Sequence, residues 1–431
     1  MTPLEIGGAA LAAALVMILL RIPVGLALGL AAFGGAASIL PLSAAISLMT
    51  RVPYEFAASW EFAAVPMFLA MGAVITRSRM ADGLLLLAER GLRRLPGGLA
   101  IATNFAGAAF GAASGSSLAT TVALGRMATP QMLRSGYDPG LATATTACAG
   151  TLAALIPPSI PLIVYGILAE QSVAKLFFAG ILPGLLTALA YALMIFLRVR
   201  ANPELAPRNE EISREPVGWS VAAFPVIAVT ILGGIYGGIF SPGEAGAVGA
   251  LVAIALAFCQ RGFGWRELAA ALGDAARQTA AILFVAIGAF MLTRTMALTG
   301  LPNALADLVE AWSVSPVLLV LGSALLFVLL GMVLDPFGVM LLSVAVLLPA
   351  FERLGFDLIW MGIIIVKFIE IGLVTPPVGL NVFAAKSVAP PEIGLTTIFR
   401  GVTWFLAAEA VVMTLLFLFP ALTLWLPGLI L

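Results

Sequence analysis

Apolar stretches long enough to cross a bilayer run almost end to end through this chain. They fall at roughly 5–20, 23–48, 59–76, 97–128, 139–170, 176–197, 218–239, 243–259, 279–298, 314–349, 358–386 and 400–427. About 20 apolar residues make one helical crossing. So many stretches cannot all be hidden inside one protein core, and most must face lipid. Charge agrees: 10% of the 431 residues are charged, against about 25% in a soluble domain. The pattern predicts an all-α polytopic membrane protein embedded in a lipid bilayer. Basic and acidic residues number 22 each, so no net field draws the chain to nucleic acid.

Histidine is absent, which removes Ser-His-Asp catalysis, imidazole metal ligands and histidine proton relays. Cys148 and Cys259 lie far apart in apolar sequence, too few for a thiolate zinc site, and read as packing residues. Met1 to Leu20 could pass for a secretion signal. It carries Glu5 where a basic residue belongs, and the apolar character resumes after Arg21, so it reads as a retained first helix.

The chain repeats itself. Pro130, Gly136, Tyr137, Asp138, Pro157 and Pro158 recur as Pro349, Gly355, Phe356, Asp357, Pro376 and Pro377, and Pro23 recurs as Pro242. Gly72, Thr76, Arg77 and Gly83 recur, with nearly the same shift, as Gly288, Thr293, Arg294 and Gly300. The shift is about half the chain, which predicts two repeats, 1–197 and 218–431, joined by a polar linker at 198–217. Window 66–138 holds seven basic residues, Arg77, Arg79, Arg90, Arg93, Arg94, Arg126 and Arg134, whereas the matching window 282–357 holds Arg294 and Arg353. Because basic loops stay in the cytoplasm, equivalent loops of opposite bias predict repeats of inverted topology.

Within each repeat one stretch looks re-entrant and the next looks broken. Phe110 to Thr121 reads FGAASGSSLATT, with small and hydroxyl residues in the middle of an apolar run. A hairpin at about 97–128 would turn at Ser114 to Ser117 and leave oxygens without helical partners, which membrane depth tolerates only beside protein or a water-filled cavity. Such oxygens suit a hard cation such as sodium; close helix packing through small residues explains the same composition. The second repeat, with a hairpin at about 314–349, places Leu334-Asp335-Pro336-Phe337-Gly338 there. Asp335 reads either as an intramembrane functional carboxylate or as a helix cap before Pro336. The prolines of Ile156-Pro157-Pro158-Ser159 and Thr375-Pro376-Pro377-Val378-Gly379 must interrupt helices at about 139–170 and 358–386 and free their carbonyls. Lys367 and Glu370 lie three apart, so they either neutralise each other on one helical face or turn toward a cavity. Residues 261–278 mix Arg261, Arg266, Glu267, Asp274 and Arg277 with Trp265, Leu268 and Leu272 and read as an interfacial amphipathic helix.

These motifs together resemble the large membrane subunit of tripartite ATP-independent periplasmic (TRAP) transporters, the DctM-type permease. The resemblance spans nearly the whole chain and rests on GSSLATT (115–121), GYDPGLATATTACAGTLAALIPPSIPLIVYG (136–166), FSPGEAGAVGAL (240–251) and EIGLVTPPVGLNVF (370–383). It implies an elevator-type secondary transporter, not an enzyme, multi-pass in the bacterial inner (cytoplasmic) membrane, with sodium as the coupling ion and no organic cofactor or transition metal. It implies two partners, a small four-helix DctQ-type membrane subunit, expected as a separate chain, and a DctP-type periplasmic binding protein that delivers an organic acid. Carried onto this sequence, the sodium positions are Ser114, Gly115, Ser116, Ser117, Pro157 and Pro158 in the first repeat, with Gly331, Asp335, Thr375 and Pro376 in the second. The substrate positions are Ser116, Ser159, Asp335, Thr375, Gly379 and Asn381. Lys367 departs from the uncharged residue the family leads one to expect beside the second break.

Three other classes differ from this reading. A stand-alone sodium-coupled anion transporter of similar elevator architecture would work without a binding protein. An intramembrane protease would need paired aspartates, a Ser-His pair or a zinc motif, which are lacking. A channel would need a continuous polar lining, whereas two interrupted inverted repeats argue for alternating access.

Overall fold

Proline and hydroxyl residues punctuate the helices. Pro3, Pro139, Pro242, Pro316 and Pro336 each sit in a first helical turn, where the missing amide costs nothing, and Thr2, Asp138, Ser241, Ser315 and Asp335 cap those helices. The computed structural model describes residues 1–78, 80–92, 94–207, 220–260, 262–311 and 315–429. Among them all regular structure is helical. Val173–Ala201, Trp265–Thr299 and Leu395–Leu418 are each long and apolar enough to cross a bilayer, and further apolar helices are shorter.

One group of helices packs through small residues. Val24–Ile39 lies along Trp265–Thr299, and Ala64–Arg77 lies along Pro242–Phe258. The first pair is so close that a Cβ on Gly288 would come 2.2 Å from the Gly25 carbonyl oxygen. Backbone approach of this kind is how membrane helices gain dispersion contacts, since burial from lipid supplies no hydrophobic drive.

The second group contains two helix-turn-helix elements, each followed by an interrupted helix. The first hairpin is Gly98–Ser114 and Ser117–Arg134; the interrupted helix after it runs Pro139–Thr151, a 3-10 turn Leu152–Ala154, then Ile160–Leu168. The second hairpin is Pro316–Gly331 and Pro336–Arg353, followed by Leu358–Val374 and Leu380–Val388. The first hairpin continues to Arg134, beyond the 128 expected from hydropathy, because Pro130 is accommodated inside its second arm. The second turn occupies residues 332–335 rather than 334–338, since Pro336 to Gly338 already form the capped first turn of the next arm. Both Pro-Pro bonds, Pro157-Pro158 and Pro376-Pro377, are cis.

Two other expectations change. The amphipathic stretch at 261–278 is not a separate interfacial helix: from Trp265 it is the first half of the 35-residue helix ending at Thr299, and Arg261 lies outside the described residues. No proline interrupts that helix, and Asp274 is held by Arg77 at 2.5 Å and by Arg277, which fastens its polar half to Ala64–Arg77. The basic end of Val173–Ala201 includes Arg198 and Arg200, so the first residues of the expected linker are helical; 208–219 lie outside the described residues, as do Arg79 and Arg93. Cys148 is buried as a packing residue should be, whereas Cys259 is exposed.

Candidate functional site

A cavity of about 640 Å³ lies where the two hairpin turns approach each other. Gly115, Ser116 and Ser117 line it from the first turn, Asp335, Pro336 and Phe337 from the second, and Glu370 from Leu358–Val374. Ala119, Val122, Ala123 and Arg126 form a wall at helical spacing along the second arm of the first hairpin, opposite Gln278, Ala281, Ile282 and Val285 of the long helix.

The first turn is built by a left-handed glycine and local caps. Gly115 has φ +60°, a conformation that costs other residues about 1–2 kcal/mol. A Cβ there would also meet Ile160 at 3.0 Å and the Pro158 carbonyl at 3.3 Å, so the turn rests directly on the first break. Ser114 and Thr120 share a hydroxyl–hydroxyl bond of 2.7 Å, and Ser116 caps the second arm by accepting the Ala119 amide at 3.4 Å. Ser117 points the other way and donates to Glu370, 2.7 Å from both carboxylate oxygens.

At the second turn Asp335 accepts the amides of Phe337 at 3.1 Å and Gly338 at 3.0 Å while lining the cavity, so its capping and cavity-facing readings hold together. Gly331 and Gly372 bring this hairpin against the second interrupted helix; a Cβ on Gly372 would lie 2.9 Å from the Gly331 Cα. The Gly379 amide donates to the Met332 carbonyl at 3.2 Å, so the second turn touches the second break, as the first turn touches the first.

The remaining expected positions lie outside the cavity lining. Pro157, Pro158 and Ser159 are buried, and the Ser159 hydroxyl donates to the Ala154 carbonyl at 2.5 Å while accepting the Leu162 amide. Thr375 donates to the Ile371 carbonyl at 2.6 Å, Pro376 is exposed, and Gly379 adopts φ +63°. Asn381 is fully buried, donates weakly to the Ala147 carbonyl at 3.4 Å, and leaves its Oδ1 without a partner among the described residues.

Lys367 and Glu370 form no direct ion pair among the described residues. Lys367 is bound by Glu409 and donates to Thr187 at 3.0 Å, and Tyr191 donates to Glu409 at 2.5 Å. A three-residue step leaves the two positions only about 60° apart around the helix, yet Lys367 is drawn to Glu409 and Thr187 on other helices while Glu370 lines the cavity. Arg126 is the functional candidate that sequence reasoning passed over. It forms no ion pair or hydrogen bond among the described residues, and its spacing from Ala119, Val122 and Ala123 was the signal that it shares their face.

A second cavity of about 460 Å³, lined among others by Glu55, Glu170 and Arg294, involves neither hairpin turn.

Comparison with known proteins gives this geometry its context. The family described as "Tripartite ATP-independent periplasmic transporter, DctM component" matches residues 11–422. The C4-dicarboxylate TRAP transporter large permease protein DctM of Pseudomonas aeruginosa is 34% identical over 381 residues, covering 87% of this chain and 88% of that protein. The isethionate TRAP transporter permease protein DctMQ of Oleidesulfovibrio alaskensis is 32% identical over 378 residues, 86% of this chain but 59% of that longer protein. Among solved structures, the Alcanivorax borkumensis YdaH transporter aligns with a TM-score of 0.62 at 16% identity, covering 89% of this chain and 90% of that one; this likeness concerns the fold alone.

Proposed function

This chain belongs to the DctM component family of tripartite ATP-independent periplasmic transporters, a multi-pass membrane permease, and we propose that it is the large subunit of a sodium-coupled importer of an organic acid. The observation that carries the proposal is the cavity shared by both hairpin turns, with a carboxylate at each of two positions and, on its wall, a guanidinium that is unpaired among the described residues. The names of two relatives, one a C4-dicarboxylate permease and one an isethionate permease, support a small organic anion as cargo.

The residues divide the work by charge. Arg126 lies nine residues beyond Ser117, roughly 13 Å along the helix, and helical side chains lean back toward the N-terminus. Its guanidinium therefore reaches toward the turn and can grip a carboxylate or sulfonate with two parallel hydrogen bonds. Sodium is the co-transported cargo beside it: the hydroxyls of Ser114, Ser116 and Ser117 with the carbonyls freed at Pro157 and Pro158 form one oxygen-rich region, and Gly331, Asp335, Thr375 and Pro376 form the other. Each hairpin turn rests on its own break, so a cation that orders one orders both. Sodium then favours substrate closure, and substrate favours sodium to the same extent.

The opposite charge bias of equivalent loops supports repeats of inverted topology, and paired turns meeting at one cavity suit an elevator movement past the helices around Trp265–Thr299. A DctP-type periplasmic binding protein delivers the acid, and a DctQ-type small subunit completes the membrane complex; the extra length of the DctMQ relative leaves room for such a partner in fused form. Uptake of labelled organic acids into proteoliposomes, with and without an inward sodium gradient and the binding protein, tests this. Accumulation that needs both supports the proposal, and uptake without the binding protein overturns its tripartite part.

A further inference from the structure

A carboxylate buried at membrane depth needs a positive charge or a full set of donors. Glu370 is 3% exposed, and its only donor among the described residues is the Ser117 hydroxyl, 2.7 Å from both oxygens. A hydroxyl carries one hydrogen, so it satisfies one oxygen at a time. Lys367, one turn earlier, is engaged by Glu409 and Thr187. Among the described residues the buried charged side chains are Lys367, Glu370 and Glu409; when both carboxylates are ionised one negative charge is left over, and it stands at the cavity wall, on Glu370.

We propose that Glu370 supplies the formal charge of a sodium site formed with the Ser117 hydroxyl, where the tip of the first hairpin meets the second interrupted helix. The proposal rests on the sodium-coupled reading and adds to it a ligand from the opposite half of the chain. A carboxylate and a hydroxyl are hard oxygen donors of the kind sodium takes, and the hydroxyl oxygen keeps lone pairs for the cation while its hydrogen serves the carboxylate. One sodium would bring the Lys367, Glu409 and Glu370 group to neutrality. Because the ligands come from elements 253 positions apart, the ion would tie the first hairpin to the second interrupted helix.

The test needs no organic substrate. Thermal unfolding of the purified full chain in detergent, titrated with sodium chloride against choline chloride at constant ionic strength and pH, reads sodium binding through stabilisation of the folded state. Glu370→Gln is expected to raise the sodium midpoint by about tenfold or more, the scale seen when metal sites lose a supporting group. Glu370→Asp keeps the charge but withdraws it by one methylene, and its midpoint should fall between the two. It also decides the matter if Glu370→Gln is not monodisperse. A wild-type midpoint in either variant overturns the proposal. Absence of any sodium-specific stabilisation in the wild type would instead overturn the reading beneath it.

Discussion

Removing the charge of Lys367 is expected to destabilise the protein far more than losing a hydrogen bond would. The Lys367 and Glu409 side chains are 1% and 5% exposed, and Thr187 and Tyr191 complete their hydrogen bonds. Lys367→Met strands Glu409 and leaves two buried carboxylates, Glu409 and Glu370, with no cation between them. Breaking a buried pair from one side costs about 3–5 kcal/mol. Hydrogen bonds between membrane helices average only about 0.6 kcal/mol, so the two explanations differ several-fold. Glu409→Gln should cost less, because Lys367 can then turn toward Glu370 and the Gln carbonyl still accepts from Tyr191. The double variant Lys367→Met with Glu409→Gln restores the wild-type surplus of one negative charge and should recover most of the loss. Melting curves of the four proteins in one detergent rank them wild type, double variant, Glu409→Gln, then Lys367→Met, with the middle two close. Lys367→Met as stable as wild type, or a double variant no better than Lys367→Met, refutes the argument from buried charge.

Asp335→Asn keeps an N-cap acceptor and removes the charge, whereas Asp335→Ala removes both, at about 1 kcal/mol for the cap. If the charge serves sodium, both variants and Ser116→Ala lower sodium-dependent uptake more than protein abundance; equal loss of abundance and uptake would sink that assignment. Arg126→Gln should raise the KM for the organic anion by roughly tenfold or more, as loss of a charged hydrogen bond of about 1.5–3 kcal/mol implies, with the sodium midpoint of thermal unfolding unchanged; an unaltered KM would return Arg126 to the role of a solvated arginine. Gly372→Ala places a Cβ 2.8 Å from the Val328 carbonyl oxygen and 2.9 Å from the Gly331 Cα, so it should part the second hairpin from the second interrupted helix and lower the melting temperature, whereas Gly322→Ala, with open space around it, should not.

What the sequence made legible was whatever the backbone must obey. Helix breaks at Pro157 and Pro376 and turns at Gly115 and Asp335 follow from sterics acting locally, and the structure places them within a few residues of expectation. The misjudged features depend on what lies across a contact. Hydropathy alone cannot show that residues 265–278 continue into the helix ending at Thr299, because Arg77 holds Asp274 from another helix. Spacing on one helix suggested that Lys367 and Glu370 pair; the partners that decide otherwise, Glu409 and Ser117, lie 42 and 253 positions away.

Those distant partners bear on how the two halves can move. Ser117 of the first hairpin reaches Glu370, Asn381 donates to the Ala147 carbonyl, and the Tyr165 hydroxyl donates to the Leu358 carbonyl at 2.7 Å. A Cβ on Gly362 would lie 2.4 Å from the Tyr165 ring. Each bond or contact joins the hairpin or interrupted helix of the first half to the interrupted helix of the second. Packed interfaces of this kind resist continuous deformation, so moving one break past the cavity without the other would strand several buried polar groups at once. The least costly displacement keeps both breaks and both turns together and slides them against helices that share few such bonds with them. A disulfide or short crosslink between the two interrupted helices, placed away from the cavity, should therefore leave transport intact, whereas a crosslink from the first hairpin to Trp265–Thr299 should arrest it. Arrest by the first crosslink would mean that the halves rearrange internally, and the single-body account would fall.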